Sequence, residues 1–307
     1  MSTSIILNSL TPVFLLIAAG FVMCRSGFPG NQFWPLAERL TYFILFPALL
    51  FQSTATAGFG DLTVLPVLIA ASITVLIMTA LLLLIRPILA IEPKPFTSLF
   101  QGSIRFNTYV GFTIAFAIFG KIGLTWAAVI IALLIPLVNF LSVLILIFFA
   151  NEKKTAWHKH WLAVLKTPPL LACLSGMIYN LSGLPLPDWT SETMLLFGRA
   201  SLPLGLLAVG AGLDLRAIRA AGQAVGLGSF LKLAALPLLM GSICSMLKVD
   251  HIPMVVGVLF AALPGSASSY ILARQLGGDS SLMASIVSAQ IIISLLTLPI
   301  TLYILMI

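Results

Sequence analysis

From Leu62 to Ile91 and from Leu124 to Ala150 the chain carries a single charged residue, Arg86. Hydrocarbon cannot solvate a free N–H or C=O group, so apolar runs of this length read as helices that satisfy their own backbone. About 20 apolar residues are enough to cross a bilayer. With 60% hydrophobic and 8% charged residues among 307, too little polar surface remains to cover a water-soluble globule of this size. An all-α integral membrane protein is expected.

Charge, glycine and proline divide the chain into ten expected spans: 4 to 24, 37 to 57, 63 to 89, 97 to 119, 123 to 150, 162 to 182, 192 to 213, 224 to 247, 252 to 275 and 281 to 306. Met-Ser-Thr-Ser at the start has no basic region, so the first apolar run reads as a span and not as a cleaved signal. The strongly polar connection, 151–160, falls at the middle and separates five spans from five. An odd number of spans per half places the halves in opposite orientations, as an inverted repeat: residues 1–150, the linker 151–160, and residues 161–307. Phe46-Pro47-Ala48-Leu49-Leu50 is echoed by Leu202-Pro203-Leu204-Gly205-Leu206.

The net charge of +7 follows topology. Eleven basic residues fall in the connections on one face: Arg25, Arg39, Arg86, Lys94, Lys153, Lys154, Lys159, Lys166, Arg216, Arg219 and Arg274. The opposite face has Lys121 and Lys248, so that face and both termini are expected outside the cytoplasm. No basic and aromatic stretch forms a nucleic-acid platform, so the expected partners are membrane lipid and a small solute, with no nucleic acid. Three cations are left inside the spans: Arg105, Arg199 and Lys232. An unpaired charge near the bilayer centre costs at least about 2.5–3.5 kcal/mol, and no acid within the spans is placed to pair with them. An anionic ligand would supply the missing charge; snorkelling to the headgroups is the alternative, strongest for Arg199.

Two spans are interrupted. Arg105-Phe-Asn-Thr-Tyr-Val-Gly111 breaks the fourth, and Leu263-Pro-Gly-Ser-Ala-Ser-Ser269 the ninth. Where a span unwinds, the helix that resumes offers free N–H groups and the positive end of its dipole, which suit a carboxylate. Arg105, Asn107, Thr108, Tyr109, Ser266, Ser268 and Ser269 are candidate ligand contacts, with Lys232 a second charge. Gly111 and Gly265 would let the backbone approach the ligand, and Pro264 imposes the bend. Kinked helices with serines bonded to their own carbonyls are the competing reading. Gln290, Ser294 and Thr297 share one face of the tenth span, and Asn139 lies in the fifth; their neutral oxygens can bind a coupling sodium ion or join helices to one another.

No metal cluster, His-rich cluster, Asp-rich diphosphate motif or Ser-His-Asp set is apparent. No enzyme activity, metal site or cofactor is expected, apart from sodium as a possible coupling ion. A transporter is favoured over an anion channel and over a membrane-embedded lipid-modifying enzyme.

Arg105-Phe-Asn107-Thr-Tyr-Val-Gly111, Lys232-Leu-Ala-Ala-Leu-Pro237, Pro264 with Ala273-Arg-Gln-Leu-Gly277-Gly-Asp279, and the run from Ala284 to Pro299 resemble the auxin efflux carrier family, including its bacterial organic-acid permeases. The resemblance covers essentially the whole chain. It implies ten helices in two inverted five-helix repeats, with broken helices 4 and 9 crossing beside the substrate. Spans three to five and eight to ten would form a mobile transport domain. Spans one, two, six and seven would form a scaffold that often dimerises, in a bacterial inner membrane. The related bile-acid sodium symporters keep sodium in view. The first break lacks proline here, and span three lacks the acid and lysine of the plant carriers, which argues against auxin itself.

Overall fold

A computed structural model describes residues 3–30, 32–57, 64–150, 167–215, 222–266 and 268–306. Every regular element among them is helical. The expected linker at 151–160 lies outside the described residues. In order the helices are α1 (Thr3–Arg25), α2 (Phe33–Leu40), α3 (Phe46–Ala55), α4 (Val64–Leu89), α5 (Pro93–Ile104), α6 (Thr108–Phe149) and α7 (Pro168–Leu181). They continue as α8 (Asp188–Ala211), α9 (Gln223–Phe230), α10 (Leu236–Met246), α11 (His251–Ala262), α12 (Ser268–Gln275) and α13 (Ser280–Met306).

Six described segments are long and apolar enough to cross a bilayer: Leu7–Arg25, Val64–Leu89, Pro93–Phe149, Asp188–Ala211, Gln223–Met246 and Ser280–Met306. The 57-residue segment is far longer than one crossing requires. It is interrupted at 105–107, and within α6 it turns at Gly120, where φ 60° and ψ −139° leave the helical region for one that glycine alone enters freely. Large apolar side chains such as Leu84, Ile88, Phe148 and Leu296 are exposed on the outer helix faces. Lipid tails cover such surface without penalty; water would not.

Two short π turns, Thr41–Leu45 and Leu231–Ala235, join α2 to α3 and α9 to α10. Each immediately precedes a helix with a proline in its first turn, Pro47 or Pro237. Proline cannot donate to the carbonyl four residues back, and the ladder widens there. Pro203, the sequence echo of Pro47, lies instead inside the continuous helix α8.

Packing gathers the helices into two groups. One contains α1, α2, α3, α7 and α8, which touch one another extensively; the other contains α4, α5 and α9 to α13, and α6 contacts both. Glycine allows the closest approach in the first group. A Cβ on Gly20 or Gly210 would collide with the backbone of Leu207 or Ile17, so α1 and α8 meet backbone to backbone.

Candidate functional site

The first break is made by three residues outside any helix, 105–107. α5 stops at Ile104, and Arg105 (φ −79°, ψ 154°) and Asn107 (φ −85°, ψ 106°) are extended. Asn107 then restarts the helix: its side-chain oxygen accepts the Val110 N–H at 3.3 Å, an N-cap that satisfies one of the free donors of α6. The second break begins at Leu263 (φ −64°, ψ 146°), where Pro264 offers no N–H to continue α11. The chain becomes helical again at Ser268. The two interruptions are joined by their backbones, since the Asn107 N–H donates to the Pro264 carbonyl at 2.8 Å.

Gln290 of α13 fastens both. Its side-chain oxygen accepts the Gly265 N–H at 2.8 Å, while its amide nitrogen donates to the carbonyls of Gly102 at 2.9 Å and Gly228 at 3.2 Å. In an unbroken helix the Gly102 carbonyl would accept from residue 106, so Gln290 replaces a bond that the first break removes and meets a donor that the second break exposes. Its expected ion-binding oxygen is thus engaged in joining helices. Ser294 donates to its own helix at Ile291 (2.7 Å), and the buried Thr297 hydroxyl has no partner.

Arg105 spans the crossing. One guanidinium nitrogen donates to the Asn139 side-chain oxygen at 2.6 Å and the other to the Ser268 hydroxyl at 2.9 Å. Ser268 in turn shares a 2.9 Å hydrogen bond with Ser266. The side chain is buried, its Nε has no partner, and among the described residues no carboxylate is bonded to it. Ser269, fully buried in the first turn of α12, also has an unpaired hydroxyl. Gln101, one turn before Arg105 on α5, is buried with both amide atoms unpaired. Buried polar atoms without partners each cost about 1–3 kcal/mol, and these belong to the two breaks or to the helix turn before the first, where a polar ligand can repay that cost.

Lys232 is elsewhere. Phe106, the neighbour of Arg105, packs on the Phe260 ring. Lys232 lies 5.8 Å from the Phe106 ring centroid and donates to the Phe260 carbonyl at 3.4 Å. Of the two cations either of which could offset a ligand's charge, Arg105 is engaged with Asn139 and Ser268, and Lys232 with Phe106 and Phe260. Arg199 is exposed on α8.

Other expected contacts have packing roles. A Cβ on Gly111 would lie 2.6 Å from Leu263 and 2.9 Å from the Phe260 ring, so this glycine brings the two broken helices together and does not open space for a ligand. Asn107 has its side-chain oxygen committed to the cap. Tyr109 packs on Phe46, at 5.0 Å between centroids, and against Gly205, where the two helix groups meet. Thr108 is half-buried at the start of α6, and Gly265 lies with Gln290. Two residues were not foreseen: Gln101, and Tyr42 in the first π turn, which lies within electrostatic reach of Arg105.

Residues 5–302 match the model of a family described as membrane transport protein. The chain belongs to that family. As a membrane transport protein it agrees with the resemblance to the auxin efflux carriers, and the apolar helices make it a multi-pass membrane protein. An uncharacterized transporter of Methanothermobacter thermautotrophicus is similar to it, at 26% identity over 290 residues and 94% of each chain.

Proposed function

We propose that this membrane transport protein is a secondary transporter of a small organic anion, a mono- or dicarboxylate, bound where the two broken helices cross. The observation that carries the reading is the buried guanidinium of Arg105, whose hydrogen-bond partners, Asn139 and Ser268, are both neutral. A carboxylate there would supply the missing charge and accept from Arg105 Nε and Ser269, while the first turns of α6 and α12 add the positive ends of two helix dipoles.

The helices are read as ten spans in two inverted five-helix repeats. The group of α1, α2, α3, α7 and α8 is the scaffold, through which a homodimer would form. The group of α4 to α6 and α9 to α13 is the transport domain, moving as an elevator between the two sides of a bacterial inner membrane, with both termini outside. Sodium is retained as a candidate coupling ion, with Ser294 and Thr297 the remaining neutral oxygens, since the Asn139 oxygen is held by Arg105.

Proteoliposomes challenged with radiolabelled mono- and dicarboxylates, with and without sodium and pH gradients, test this. Saturable uptake with counterflow is expected for at least one acid. Flux that rises with voltage and never saturates would indicate a channel instead, and movement of neutral or cationic solutes alone would overturn the anion assignment.

A further inference from the structure

Pro264 breaks α11 by removing the N–H that would have bonded the carbonyl of Phe260, four residues earlier. That carbonyl is met instead by Lys232, from the π turn between α9 and α10. Lys232 is completely buried, at 0% exposure. Its stem passes among apolar groups, and a cavity of about 20 Å³, room for roughly one water molecule, lies beside it between Thr74, Phe106, Met240 and Phe260. The residues lining that cavity from α4, α5, α6, α10 and α11 include no acid and no titratable group other than Lys232. A cationic donor in these surroundings is expensive unless it answers a specific need. The need is visible: the amino group sits at the carbonyl end of α11, where a positive charge is favoured by the helix dipole, and on the acceptor that the proline left without its donor.

We infer that Lys232 is a positioning residue for the second break, supplying from α10's side the hydrogen bond that Pro264 takes from α11 and so fixing where the chain leaves the helix. The inference rests on the reading of the crossing as the ligand site, because it assigns Lys232 to the support of that site and not to contact with the ligand. Through Phe260 the effect extends to the first break, for the Phe260 ring packs edge-on against Phe106 at 5.5 Å between centroids. One amine thus holds the carbonyl of the second break and faces the aromatic ring of the first. The π turn is part of the device, since the widened turn ahead of Pro237 is where this lysine leaves its helix.

The test needs no substrate, so its outcome is separate from that of the transport assay. Hydrogen–deuterium exchange is followed on the full chain in lipid nanodiscs, in peptides covering residues 259–270. Lys232→Met, which keeps the stem and removes the donor, is expected to speed exchange at Gly265, Ser268 and Ser269 by about tenfold or more, as loss of a hydrogen bond from a charged group implies. Lys232→Arg, which keeps a donor, is expected to stay close to wild type. In the Lys232→Met background, Pro264→Ala returns a backbone N–H to the Phe260 carbonyl and should reverse most of the increase. Where Lys232→Met alone does not fold, the double variant must recover folded protein. The inference is overturned if Lys232→Met exchanges like wild type, if the two substitutions act independently so that their fold-changes multiply, or if the double variant recovers nothing.

Discussion

The backbone N–H of Asn107 donates to the carbonyl of Pro264 at 2.8 Å, so the two interruptions of the chain, 157 positions apart, share a hydrogen bond. Each break exposes groups that hydrocarbon would penalise, and each supplies a partner for the other. The crossing is therefore a single structural unit, and substitutions at either break are expected to affect both.

Gln290 carries the largest share of that unit outside the breaks. Gln290→Ala leaves the Gly265 N–H and the Gly102 carbonyl without their side-chain partner, at about 1–3 kcal/mol for each group. A fall of several degrees in the melting temperature of the detergent-solubilised protein is expected. Gln290→Glu, neutral when buried, keeps the acceptor and one O–H donor and should fall between wild type and Gln290→Ala. A melting temperature unchanged in Gln290→Ala would show that the bridge contributes nothing.

Gly111 sets how closely the broken helices approach. The Cβ of Gly111→Ala would enter the space of Leu263 and Phe260, an overpacking that costs about 1–3 kcal/mol. Gly226→Ala, in α9 with nothing within 4 Å of the added carbon, should be neutral or slightly stabilising, by no more than about 1 kcal/mol. Thermal unfolding of both variants checks the contrast, and equal losses would refute the close-approach role.

Tyr109 of α6 meets Gly205 of α8, across the boundary between the proposed transport domain and scaffold, and a Cβ on Gly205 would be 2.7 Å from the tyrosine ring. That proximity suits the Cβ separation of about 3.5–4.5 Å that a disulfide requires. In protein with Cys24, Cys173 and Cys244 replaced, Tyr109→Cys with Gly205→Cys should form a cross-link on oxidation, stop transport, and regain it on reduction. Undiminished transport by the oxidised, cross-linked protein would exclude sliding of one group past the other.

The course of the helices was largely readable in advance. Runs such as Val64–Leu89 can be little else in a membrane, and both breaks were visible because Asn, Gly, Pro and Ser interrupt otherwise apolar stretches. The partners of the break residues were not readable, because hydrogen bonds between distant helices depend on how those helices cross. Nothing local in Gln290 distinguishes a bridge from an ion ligand. Lys232 gave a partial signal: Pro264 requires some donor for the Phe260 carbonyl, but the identity of the donor is decided in three dimensions. Arg105 and Lys232 looked alike as membrane cations, and only their partners, Asn139 and Ser268 for one and the Phe260 carbonyl for the other, distinguish them. Tyr42 was hidden for a different reason, since it comes from the other helix group.

The most direct test of the central claim is the concentration dependence of radiolabelled organic-acid uptake by wild type and Arg105→Gln in matched proteoliposomes. Removing one charge-assisted partner of a carboxylate should raise the apparent KM by about tenfold to a hundredfold, with Arg105→Lys less affected. An Arg105→Gln protein that transports the acid with wild-type KM and maximal rate would contradict an anion bound at the crossing.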